Sequence, residues 1–377
     1  RRERSRWWPH LAALPADGPP HSLLRWTQAE IDAYLPGTSL DPVARAWRRQ
    51  VTTDFDEVCR AVRTSSQGFG DMGHSGDCHS TKVPAWACDR GLYEWAVAII
   101  WSRCVTLPGR GKSLVPVFDF ANHAFGAPTR HGCKAGDRFV LEFAPGAATV
   151  SPPPTEESDA TTTPTSSELH IAYASHPSAK LALLYGFAVE PNPHEAVALY
   201  APLRGEEPEW KRRLLSAAGL DAEAAGEAPF WLTLDEPLPD RLVDAQRLAR
   251  WGGTAPGPDP DTSRPNDDDD ALRAFARRLP RANEVAALDA LHVAIVHMRD
   301  ACARTTTPRT TTTTSTSSSS NGRSSVGTDA LAEQRLYEDD DDNPRARLAA
   351  IVRRAEYRVL DASCRRLDAR LARLRCS

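Results

Sequence analysis

The sequence of 377 residues has little lysine: of its 46 basic residues five are Lys and 41 are Arg. The formal net charge is -4 at pH 7. The chain therefore lacks the global basic field that draws nucleic acid. Its arginines are spread among Ala, Pro and Gly and not gathered, which reads as a coding bias and not as an arginine surface. No apolar run comes near the about 20 residues that a membrane helix needs. The longest, 95–101, is far too short. No signal peptide is visible, because the charged start leads into Trp7-Trp8-Pro9 and not into an apolar stretch. The eight cysteines form no CxxC pair, and three lie in helix-like stretches. Free thiols in a reducing, intracellular compartment are expected. The first residue is Arg1, not Met, so the chain is expected to be a processed product or a fragment.

Three stretches bury too little to offset the cost of ordering a backbone. They are a Thr/Ser/Pro-rich segment at 147–168, a Gly/Pro-rich one at 252–270 that ends in four Asp, and a Thr/Ser tract at 305–328. Each reads as a disordered loop. A first folded block is expected over 1–205 and a second over 206–377. In the first, 27–35 reads as a short helix with Thr27 as N-cap and Glu30 at the capping-box position. A helix is expected over 42–63, and another over 89–104 with Leu92, Trp95, Ala96 and Ile99 on one face. Strands are expected at 113–118, 138–143 and 169–173, and a short helix at 179–185. The second block is mostly helical. Leu288, Leu291, Ile295, Met298 and Cys302 recur at helical spacing, as do Leu348, Ile351, Val352, Ala355, Val359 and Leu360, continued by Leu367, Leu371 and Leu374. Such stripes read as core packing. Residues 230–234 read as one extended segment.

Several groupings could carry chemistry. Gly68-Phe69-Gly70-Asp71-Met72-Gly73 matches GxGxxG, but no apolar strand feeds it, so a loop is the better reading than a dinucleotide site. His74, Cys78 and His79, with Asp71 or Asp77, could ligate zinc, but the spacing is not that of a closed site. No metal is expected. Asp119-Phe120-Ala121-Asn122-His123 follows a short apolar run and sets three polar groups in five residues. Taken alone, it could be a capped turn or a metal pair.

The surrounding residues extend that segment into a pattern. Trp95-Ala96 is followed by Ser102-Arg103, then by Leu114-Val115-Pro116-Val117-Phe118-Asp119-Phe120-Ala121-Asn122-His123. Next come Ile171-Ala172-Tyr173, Tyr185-Gly186-Phe187 and Pro191-Asn192-Pro193. Upstream stand Trp8-Pro9-His10-Leu11, Trp26 and Leu35-Pro36-Gly37-Thr38. Downstream, Asn283-Glu284 opens a long helix and Glu356-Tyr357-Arg358-Val359-Leu360 lies in another. In this order the chain resembles the SET-domain protein methyltransferases of the Rubisco large-subunit lysine methyltransferase class.

The resemblance implies an α+β fold. A partial SET domain over 1–205, with short strands, a knot-like crossing and a helical insert, would precede a helical substrate-binding domain over 206–377. It implies an S-adenosylmethionine-dependent protein-lysine N-methyltransferase. Asn122, His123, Arg103 and Phe187 would hold the cofactor, Tyr185 and Arg103 the substrate, and Tyr173 would be catalytic. The partner would be a protein bearing a target lysine, met by a monomer in the plastid, cytoplasm or nucleus, with no nucleic acid and no membrane. Two departures stand out. The family's glycine-containing cofactor loop precedes the point where this chain begins, and Gly109-Arg110-Gly111 is in the wrong place to replace it. The family's Ser-Asn before the YGF helix is Pro177-Ser178 here. Besides a truncated product of a working enzyme, a non-catalytic protein-binding relative and a protein-histidine methyltransferase stay open.

Overall fold

A computed structural model describes residues 5–19, 21–67, 88–134, 138–143, 169–200, 208–217, 229–253, 268–304 and 343–376. Outside these lie the GxGxxG segment, the His74, Cys78 and His79 group, the loops at 147–168 and 305–328, and most of the loop at 252–270. The fold is mixed α+β, with short two-stranded sheets among many helices. Two compact units divide the chain. The first holds residues 1–25, 45–176 and 183–186, the second 26–44, 177–182 and 187–377.

In the first unit, α1 (Trp8–Ala13) buries none of its residues. The helix α3 (Leu40–Gln67) begins in the second unit and continues here, longer at both ends than expected. Asp89 caps α4 (Arg90–Arg103) by accepting the Leu92 N–H at 3.0 Å. The buried positions of α4 are Ala98 and Ile99; of the expected face Ile99 is buried, Trp95 and Ala96 are half-buried and Leu92 is exposed. This helix is apolar nearly all round, so its neighbours and not its own pattern choose the buried side. Leu24, Val51 and Ala98 form a small core there, with Trp47, Tyr93 and Val97 against it. Antiparallel strands β1 (Cys104–Leu107) and β2 (Gly111–Leu114) follow, joined through a turn in which Gly109 and Gly111 take φ near +70°. Gly109-Arg110-Gly111 is thus a hairpin turn. The strand expected at 113–118 stops at Leu114. Pro116 has no N–H to give a ladder, and the chain enters a 3-10 turn at Phe118–Phe120. Strand β3 (Asn122–His123) precedes the hairpin of β4 (Thr129–Lys134) and β5 (Arg138–Phe143), and β6 (His170–Ile171) returns to pair with β3.

The second unit carries α2 (Gln28–Tyr34), whose capping box forms as expected. Thr27 Oγ1 accepts the Glu30 N–H at 3.2 Å, and the Glu30 carboxylate accepts the Thr27 N–H at 2.7 Å. Helix α5 (Ser178–Tyr185) starts in this unit and ends in the first. Strands β7 (Ala196–Leu199) and β8 (Phe230–Thr233) pair antiparallel. Around them lie α6 (Glu209–Ala217), α7 (Asp240–Arg250), α8 (Asp268–Arg277), α9 (Arg281–Ala303) and α10 (Pro344–Cys376). The α9 and α10 stripes are core, as their spacing predicts: Leu288, Leu291, Ile295 and Cys302 pack with Val359, Leu360, Leu367 and Leu371. Fully burying each such side chain is worth roughly 1.5–3 kcal/mol. Helix α7 is buried on two sides, with Leu242 and Val243 in this core and Ala245 and Leu248 in a second one against α6 and α8. The last three of the four Asp open α8 and do not close the preceding loop. Acidic residues are favoured at a helix N-terminus by the dipole.

One carboxylate of this second unit is fully buried. Glu356 of α10 accepts the Ser39 N–H at 2.9 Å and the Ser39 hydroxyl. The Cys302 thiol donates to the Gly37 carbonyl at 3.1 Å, and Arg353 donates to the Tyr34 carbonyl at 2.6 Å. Gly37 needs its φ of +83°, and a Cβ there would meet the Ala301 carbonyl oxygen at 2.2 Å. Burial pushes the Glu356 carboxyl up to about 7, against the Ser39 hydrogen bonds. The folded chain therefore holds this proton more tightly than the unfolded one. The resulting stability is complete below the ordinary value of 4.5 and is lost as pH rises through about 7. Between pH 5 and 8, urea unfolding should show wild type losing up to about 3 kcal/mol more than Glu356→Gln. Parallel pH profiles for the two proteins would contradict this account.

Candidate functional site

Two segments nearly fifty residues apart meet at β3 and β6. They pair parallel, Asn122 opposite His170 and His123 opposite Ile171. The contact continues beyond the strands: the Ala124 N–H donates to the Ile171 carbonyl at 3.1 Å, and the Thr129 hydroxyl to the His170 carbonyl at 2.9 Å. Tyr173 lies two residues past β6 and spends both its donors on the earlier segment. Its N–H donates to His123 Nδ1 at 3.1 Å, and its hydroxyl to the Ala121 carbonyl at 2.8 Å. With Nδ1 accepting, a neutral His123 ring carries its proton on Nε2. The Tyr173 ring also leans on Tyr185 at 4.7 Å and on His123 at 5.2 Å between centroids.

Arg103 ends α4 and donates to the backbone carbonyl of Asp119 at 2.6 Å. Its guanidinium stands 5.8 Å over the Phe120 ring. Its Nε is buried with no hydrogen-bond partner among the described residues. The backbone turns sharply just before Asp119. Val117 takes φ +73°, a costly conformation for a β-branched residue, and is left 77% exposed while Phe118 and Asp119 turn inward. The Asp119 carboxylate is shut off from water. His10 Nε2 lies 3.1 Å from its Oδ2. Burial pushes the Asp119 carboxyl up, and the charges of His10 and Arg103 pull it the other way.

These residues border a cleft of about 440 Å³, whose walls include Arg103, Asp119, His131, Phe139, Tyr173 and Tyr185. Phe118 packs on His131 at 4.8 Å and on Phe139 at 4.7 Å between centroids. Burial pushes the hydroxyls of Tyr173 and Tyr185 up and the imidazole of His131 down. All three groups are therefore held toward their uncharged forms.

Of the residues singled out from the sequence, Arg103, Tyr173 and Tyr185 line this cleft. His123 supports Tyr173 from β3. Asn122 is exposed and is not among the lining residues, and Phe187 belongs to the second unit. The sequence did not single out His10, Phe118, His131 or Phe139 for this site. His10 stood at the position where the related pattern has Tyr, a visible signal. His131 is a single histidine in a polar stretch and had none. Among the described residues no group of three His, Cys, Asp or Glu is placed to hold a metal ion.

Solved structures of SET-domain proteins share this fold. The SET domain of LSMT bound to lysine and AdoHcy matches with a TM-score of 0.64 at 18% identity, over 99% of this chain and 73% of that one. Rubisco LSMT bound to AdoMet matches with a TM-score of 0.63 at 18% identity, over 99% and 74%. Rubisco LSMT bound to sinefungin and monomethyllysine does so at 0.63 and 19%, over 99% and 74%. At this identity the likeness defines the fold, a SET-like α+β domain with a helical region. No protein-family model and no curated protein matches the chain.

Gly186 ends α5 directly after Tyr185, with φ +77°. A Cβ there would stand 2.8 Å from the backbone of His21 and Ser22. Left-handed backbone alone costs a non-glycine residue roughly 1–2 kcal/mol. Gly186→Ala should therefore cost at least about 2 kcal/mol. Thermal denaturation reads this out, and an unshifted melting curve would show that the close approach is not there.

Proposed function

We propose that this chain is an S-adenosylmethionine-dependent protein-lysine N-methyltransferase. The observation that carries the reading is the β3–β6 pairing, with the Tyr173 hydroxyl bonded to the Ala121 carbonyl at the wall of a cleft that Arg103 and Tyr185 share. The residues present suit the cofactor. Arg103 offers a half-buried guanidinium whose buried Nε lacks a partner among the described residues, a donor that a carboxylate could accept from. The cleft volume falls within the roughly 300–1,000 Å³ of small-molecule sites. In this reading Arg103 and His123 hold the cofactor, and Tyr185 with Arg103 receives the target side chain. The helical region of 206–377 binds the protein that carries it. The cofactor supplies an electrophilic methyl group on a sulfonium.

The protein's part is positioning and control of charge. An amine attacks only when neutral, and a lysine ammonium has an ordinary pKa of about 10.4. An anionic wall would hold it charged. Burial keeps Tyr173 and Tyr185 as neutral phenols, so they do not. The Tyr173 proton is already given to the Ala121 carbonyl. Its oxygen lone pairs remain as acceptors for an amine N–H, or for a polarised methyl C–H.

Titration calorimetry should detect S-adenosylmethionine binding to the protein. Tyr173→Phe should lower methyl transfer at least about tenfold while cofactor affinity stays nearly unchanged. Absence of binding by wild type would sink the reading. An equal loss of affinity and rate in the variant would make Tyr173 a structural residue.

A further inference from the structure

Two cysteines distant in the sequence meet in the first unit. Cys59 lies on α3 and is buried, and Cys88 directly precedes α4 and is half-buried. Both are free thiols, and they stand in side-chain hydrogen-bond contact. The packing around them accounts for the meeting. Thr52, Phe55 and Cys59 recur at i, i+3 and i+7, so they share one face of α3. The start of α4 lies against that face. Arg90 donates to the Thr52 hydroxyl at 2.8 Å, and the Tyr93 ring stands 5.5 Å from Phe55 between centroids. The Asp89 cap fixes the backbone next to Cys88. We propose that Cys59 and Cys88 are a redox-active dithiol, which a small disulfide such as oxidised glutathione converts to an intramolecular disulfide. This chemistry does not depend on the methyltransferase reading.

Thiols already in contact need only a short further approach to reach the about 2.05 Å of a disulfide bond. The half-exposed Cys88 meets the oxidant first. Its thiolate attacks one glutathione sulfur, that S–S bond breaks, and one glutathione leaves as a thiolate. The Cys59 thiolate then attacks Cys88 Sγ. The bond to the second glutathione breaks as the Cys59–Cys88 bond forms. The two protons of the protein thiols end on the two released glutathiones. Two protein thiols are thus oxidised to one disulfide, and one glutathione disulfide is reduced to two thiols. Burial and the contact with Cys88 push the Cys59 thiol up, Asp56 adds to this, and the Arg63 charge one turn on pulls it down. Cys59 therefore suits the second, intramolecular step, in which proximity offsets a small thiolate fraction. The groups that act on the Cys104, Cys302 and Cys364 thiols are carboxylates and cations, not a second thiol. A bridge would tie α3 to the start of α4, the helix that ends in Arg103.

The test uses the native full chain. Dilute protein is treated with oxidised glutathione at about pH 8, where thiolates form. Remaining thiols are alkylated with N-ethylmaleimide, and tryptic peptides are read by mass spectrometry. Cleavage after Arg and Lys leaves Cys59 in 50–60, Cys78 in 64–82 and Cys88 in 83–90. Peptides 50–60 and 83–90 should be recovered linked to each other at least about tenfold more often than either is linked to 64–82. In urea the contact is lost and the shorter loops favour Cys78, so this preference should reverse. In a Cys78→Ser background, Cys59→Ser should instead hold glutathione on Cys88, because no thiol remains to perform the second step. Cys59→Ala in the same background should do likewise. Separate, alkylated 50–60 and 83–90 peptides from native wild type would overturn the proposal. So would native links made chiefly to 64–82, a glutathione adduct that persists on Cys88 with Cys59 in place, or a preference unchanged in urea. The wild-type link alone decides the matter if a variant does not fold.

Discussion

The site depends on a parallel pairing only two residues long. Strands as short as β3 and β6 contribute little by themselves, and parallel contacts between distant segments carry a large cost in loop closure. Three side-chain hydrogen bonds supplement the ladder: Thr129 to the His170 carbonyl, the Tyr173 N–H to His123, and the Tyr173 hydroxyl to Ala121. Each ties a residue of one segment to the other, so the crossing is held largely by the side chains of the site itself. Tyr173 thus takes part both in the pairing of the two segments and in the wall of the cleft.

Burial without full pairing recurs as the source of the perturbed groups. Asp119, Tyr173, Tyr185 and His131 in the first unit, and Glu356 in the second, all shift in the direction that disfavours charge. The two carboxylates differ in support. Glu356 accepts two hydrogen bonds from Ser39 and anchors a backbone segment that Gly37 allows to approach α9 closely. The Asp119 carboxylate instead faces His10 at 3.1 Å and feels the Arg103 charge. A buried polar group with little local pairing is more often found where a ligand or substrate acts than in a structural core.

Helices with strong local signals were legible from the residues. The Thr27–Glu30 capping box and the stripes of α9 and α10 appear where spacing and capping residues place them. Elements without such signals were not. The strand expected at 113–118 fails because Pro116 and the turned Val117 end it. On α4 only Leu92 of the expected face is exposed, because an almost wholly apolar helix has little pattern to mark where its buried stripe ends. Strands β1 and β4 are short and of mixed polarity, β7 is an apolar run of only four residues, and four to six residues say little alone.

The sequence by itself determined the α+β class, the helical second half, and the order of residues that resembles a SET-type methyltransferase. These follow from local causes: caps, helical periodicity and motifs within a few residues. Only the tertiary structure decided which of those residues share a cleft. It brought Arg103, Tyr173 and Tyr185 to one wall, left Asn122 exposed, and added His131, Phe118, Phe139 and the His10–Asp119 contact. The physical reason is that burial is a property of what surrounds a side chain. A histidine in a polar stretch gives no sign that the Phe118 ring will pack on it or that the fold will lower its affinity for a proton.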